Sequence, residues 1–127
     1  MRSSAPALHA LHVALDALPP PHSRQGPALG NWRWTVRQRL GAVRNMLVNE
    51  TDGYGPGWRS TGEGGLLDQR NHLIERARAF DSLVLQSPEP DTVRRELMRL
   101  LIDVDHHVVR VREAGRVGTE PAAAPPA

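Results

Sequence analysis

The residues able to do chemistry are few. Six histidines stand at positions 9, 12, 22, 72, 106 and 107, and there is no cysteine and no lysine. Thiolate metal sites, disulfides, cysteine nucleophiles and Schiff-base lysines are therefore excluded. His9-x-x-His12 puts two imidazoles near one face of a helix, a weak metal signal by itself. His106 and His107 point about 100° apart on a helix and do not readily share an ion. No Ser/His/Asp arrangement is discernible. Asp103 and Asp105 are two residues apart and do not share a helix face.

The elements that must position these side chains follow from hydrophobic period. Four segments carry helical spacing. The first is about 5–18, with Leu8, Leu11, Leu15 and Leu18. The second is about 31–50, with Trp32, Val36, Leu40, Val43 and Leu47. The third is about 66–86, with Leu66, Leu73, Ala77, Phe80 and Val84. The fourth is about 89–114, with Val93, Leu97, Leu100, Val104, His107 and Val111. These are stripes of helices packed at shallow angles, and strand-type alternation is absent. Asn31 suits a cap of the second helix, Ser87-Pro88 the start of the fourth, and Gly115 its end. Short connections predict an all-α, antiparallel, up-down-up-down four-helix bundle over residues 1–115. The Pro- and Ala-rich tail, 116–127, is expected to be disordered.

At 127 residues the chain is one domain. All sixteen basic residues are arginine, a signature of GC-rich codon usage first and of chemistry second. Net charge is only +2, so the total does not suggest nucleic acid. No apolar run is long enough to cross a membrane, and a cytoplasmic location is expected.

In an antiparallel bundle, Glu50, Arg70 and His107 fall on inward stripes at one end, flanked by His72 and His106. This predicts either a salt-bridged mouth or a pocket. The segment Asp52–Gly65 holds six glycines. It lacks the Gly-Lys-Ser/Thr ending of a phosphate loop and follows no strand, so nucleotide binding is rejected. Its Tyr54 and Trp58 would lid that mouth or anchor a partner. The second helix carries Arg33, Arg37, Arg39 and Arg44 without an acid between 31 and 49, and begins with Trp32 and Trp34. Arg33, Arg37 and Arg44 share a face, either solvated and paired or a basic patch.

The run Leu8-His9-Ala10-Leu11-His12-Val13-Ala14-Leu15 is similar to the opening helix of hemerythrin-like (HHE-type) domains. Asp68 to Glu113 resembles that family's closing hairpin, and Leu101-Ile102-Asp103-Val104-Asp105-His106-His107 sits where its last helix places a His. The resemblance implies a four-helix bundle. It also implies a di-iron centre of several His and bridging carboxylates, from which this chain departs. Met46-Leu47-Val48-Asn49-Glu50 lacks the His of His-x-x-x-Glu. Arg70 and Asn71 stand where an inward His belongs, and Arg110 and Val111 follow His106 and His107 by four.

Three function classes follow. The first is a non-enzymatic binding or accessory protein, with a protein partner or a second copy contacted through Trp58, Tyr54, Arg70, Arg33 and Arg37, and no cofactor. The second is a binder of metal, iron or zinc, or of a small ligand, through His107, Glu50, His72 and His12. The third is nucleic-acid contact through the basic second helix.

Overall fold

The structure, a computed structural model, describes residues 5–49 and 64–119. The described residues are all-α, with four helices. These are α1 (Ala5–Asp16), α2 (Pro27–Val48), α3 (Gly64–Gln86) and α4 (Pro90–Thr119), and a 3-10 turn, Pro21–Ser23, lies between the first two. No strand occurs among the described residues. Each helix packs on its neighbour in sequence, and α1 meets α4 to close the ring. That closing seam is the slightest of the four.

The stripes read from sequence are the core. Leu8, Leu11 and Leu15 of α1 are buried with Trp32, Val36, Leu40, Val43 and Leu47 of α2. Leu73, Ala77 and Val84 of α3, and Val93, Leu97, Leu100 and Val104 of α4, complete it. Leu18 and Phe80 lie at its margin, half-buried. A separate small cluster joins Leu66 to Val111, with Leu67 packed on it.

Helix ends differ from the sequence expectation in instructive ways. α2 starts at Pro27, not at Asn31, and its cap Gly26 makes no side-chain bond. Proline at the first helical position has no N–H to leave orphaned and its φ is already helical, so it outcompetes the Asn cap four residues on. Asn31 is thus an exposed residue inside the helix. α1 ends at Asp16, two residues early. α4 starts at Pro90, and the Glu89 backbone N–H donates to Ser87 Oγ at 3.1 Å. α4 also runs through Gly115 to Thr119. A single helical glycine costs about 1 kcal/mol relative to alanine and does not by itself end a helix. Residues 120–127 of the expected tail lie outside the described residues.

Cross-helix bonds pair residues near opposite ends of two helices, or near the middle of both. Arg33 of α2 reaches Val84 of α3, and Arg70 of α3 reaches back to Val48 of α2. Arg76 of α3 reaches Asp103 of α4, and Arg94 of α4 reaches Leu15 and Asp16 of α1.

Two substitutions of opposite sign test this packing by thermal and denaturant unfolding. Leu97→Ala removes a wholly buried side chain and is expected to cost about 2–5 kcal/mol. Gly41→Ala adds a methyl inside α2 where nothing lies within 4 Å, and is expected to stabilise by up to about 1 kcal/mol.

Candidate functional site

Among the described residues one polar side chain is buried, His107 at 0% exposure. Its position on α4 lies between Val104 and Val111, both buried. An imidazole there needs a partner, because a buried polar group without one costs about 1–3 kcal/mol. Gln69 of α3 supplies it: His107 Nδ1–H donates to Gln69 Oε1 at 2.7 Å. Gln69 itself lies between Leu66 and Leu73. The pair therefore divides the main core from the small Leu66–Val111 cluster.

Of the expected mouth, the described residues place Arg70 and His107. Arg70, not Gln69, was expected beside His107. Arg70 instead lies half-buried on the α2 side of α3. Its Nε and Nη2 donate to Asn71 Oδ1 at 3.2 and 2.7 Å, and its Nη1 to the Val48 carbonyl at 3.5 Å. The reason is angular. One residue turns a helix by about 100°, so Gln69 faces α4 where Arg70 faces α2. Glu50, Tyr54 and Trp58 lie outside the described residues.

The remaining sequence candidates are spread over the surface. His72 is exposed on α3, and His12 is exposed on α1, 3.5 Å from Asp16. Among the described residues, no three of His, Asp and Glu come together where a metal ion would sit. The di-iron centre that the resemblance implies thus does not fit the described residues. The basic face of α2 turns toward α3. Arg44 Nη1 pairs with Asp81 at 2.8 Å, and Arg33 Nη1 donates to the Val84 carbonyl at 3.1 Å. Arg37 is exposed, as is Trp34, at 58%.

Two other arginines tie the linker and α1 to the start of α4. Arg24 Nε donates to the Pro19 carbonyl at 2.7 Å, while its two Nη groups grip both oxygens of Asp91 at 2.7 and 3.0 Å. This fork holds the Asp91 carboxyl below its ordinary range. Arg94 Nε donates to the Leu15 carbonyl at 3.0 Å and its Nη2 to Asp16 at 2.9 Å. α1 has no basic residue in its own last turn, and Arg94 supplies the cation that its carbonyl end favours.

What sequence reasoning missed is the seam between α1 and α4. A cleft of about 550 Å³ opens there, lined by Leu8, His9, His12, Met98, Leu101, Ile102, Asp105 and His106. Leu8 and Leu101 are buried beneath it, and Ile102 stands at its edge, 57% exposed. No local pattern in the chain announced it, because the cleft forms between the first helix and the last.

His107→Ala is expected to cost about 2–4 kcal/mol, from lost packing and from the Gln69 amide left short of a partner. Unfolding of the single and double variants with Gln69→Leu checks this, since the double should cost less than the sum. Acid stability tests the Arg24 clasp. Because Asp91 titrates low in the fold, its contribution is complete above the ordinary carboxylate pKa and is lost as pH falls through its lowered one. Asp91→Asn should therefore flatten the wild-type stability curve below the ordinary carboxylate pKa.

No family model matches this chain, and no curated protein or solved structure matches it.

Proposed function

We propose that this protein is a non-catalytic binding module whose working surface is the α1–α4 cleft, and that the occupant is the same face of a second copy. The cleft carries the reading. It joins an apolar floor, Leu8, Met98 and Leu101, to an exposed apolar knob, Ile102, in one patch. A two-fold interface must be self-complementary, each patch offering what the other accepts. Here the knob of one copy matches the floor of the other. The rim matches as well, since His9, His12 and His106 are N–H donors and Asp105 is an acceptor. The volume falls in the range that accommodates several buried side chains. Nothing in the described residues assembles a nucleophile, base and orienting group, which favours binding over catalysis. A helical bundle resembling the hemerythrin-like domains, working through a surface cleft and not through a metal core, fits this reading.

Sedimentation analysis of the full chain tests it. A reversible dimer is expected at micromolar concentration, and Ile102→Asp should shift the midpoint by at least about tenfold by placing a charge on the apolar floor. Ile102 is exposed, so the variant is expected to keep its fold, which circular dichroism checks. A chain that stays monomeric to about 1 mM ends the proposal. So does a dimer indifferent to Ile102→Asp.

A further inference from the structure

The opposite flank of α4 carries a second, more enclosed cleft, and its chemistry differs. Between α3 and α4 lies a space of about 320 Å³ lined by Arg76, Phe80, Arg95, Glu96 and Arg99. Arg95 and Arg99 are four residues apart, so they are neighbours on one face of α4. Like charges so placed repel each other and weaken the helix. Neither joins an ion pair among the described residues, and Arg95 acts on Asp91 only through space. Both of these unpaired guanidiniums line the cleft. Arg76 faces the same space from α3, held by Asp103 at 2.7 Å. Phe80 is half-buried and closes the apolar side.

Counting charges narrows the ligand. Three guanidiniums stand against two carboxylates, Glu96 in the cleft and Asp103 on Arg76, which leaves one positive charge. A single negative charge balances that remainder, while a second would meet Glu96. The aromatic wall favours a ring, which stacks or packs edge-on against Phe80. The guanidinium fork matches a planar carboxylate in a bidentate grip. We infer that this cleft binds a single-ring aromatic monoanion of the aryl-carboxylate class. Its carboxylate is held by Arg95 and Arg99, its ring lies on Phe80, and Glu96 acts as the gate against dianions.

Titration of the full-length protein with benzoate, followed by NMR of backbone amides and arginine Nε–H groups, tests this. Saturable binding in the range of about 1–10 mM is expected, with shifts confined to the facing parts of α3 and α4. Benzyl alcohol, which keeps the ring and lacks the charge, should bind at least about tenfold more weakly. Phenyl phosphate, a dianion, should also bind more weakly than benzoate. Arg95→Gln and Arg99→Gln should each weaken benzoate by about fivefold or more. Glu96→Gln should tighten benzoate, and should tighten phenyl phosphate by a larger factor. This gain cannot come from a misfolded variant. Shifts that stay linear with concentration, benzyl alcohol binding as well as benzoate, or a Glu96→Gln variant that leaves both anions unchanged would each overturn the assignment.

Discussion

Guanidinium groups bonded from one helix to the next set the register of this bundle. Its core is almost entirely leucine and valine. Such uniform cores are sticky but poorly specific, because one helix can slide a turn along another at small cost. Arginine pairs remove that freedom. Arg44 meets Asp81, Arg76 meets Asp103, Arg94 meets Asp16, and Arg24 meets Asp91. Arg33 and Arg70 add bonds to backbone carbonyls of the facing helix. Exposed pairs of this kind stabilise by only about 0–1 kcal/mol each. Their value lies in geometry: a fork that bonds at one register is unpaired one turn away.

His107 and Gln69 serve the same end from inside. A buried hydrogen-bonded pair is weak as a source of stability, since both groups are first taken out of water. It is strong as a discriminator. A slip of α4 against α3 would leave an imidazole and an amide facing leucine, with both hydrogen bonds to water already lost. The pair sits where the main core gives way to the Leu66–Val111 cluster, and so it aligns the far end of the two longest helices.

Both proposed surfaces flank α4. α1 supplies the slightest seam of the ring. On the α1 side the flank is apolar with imidazoles at its rim. On the α3 side it is cationic with an aromatic wall. Opposite chemistry on two flanks of one helix separates what each can bind, an apolar face on one and an anion on the other.

The chain by itself determined the four helices and nearly every core position. Period alone did this, because a residue's side of a helix is set by its spacing from its neighbours. Leu40, Val43 and Leu47, or Val93, Leu97 and Leu100, are buried as their spacing implies. The inward place of His107 was legible for the same reason. Only the tertiary structure decided its partner. Gln69 and Arg70 differ by one step of about 100°, and which of them meets α4 depends on where α4 stands around α3. Nor could local pattern show that Arg24 would cross to Asp91, sixty-seven residues away, or that Arg76 and Arg95 would face one cleft. Those juxtapositions arise from the rotation and axial offset of whole helices. These are fixed by the summed packing of all four, and no short stretch of sequence carries them.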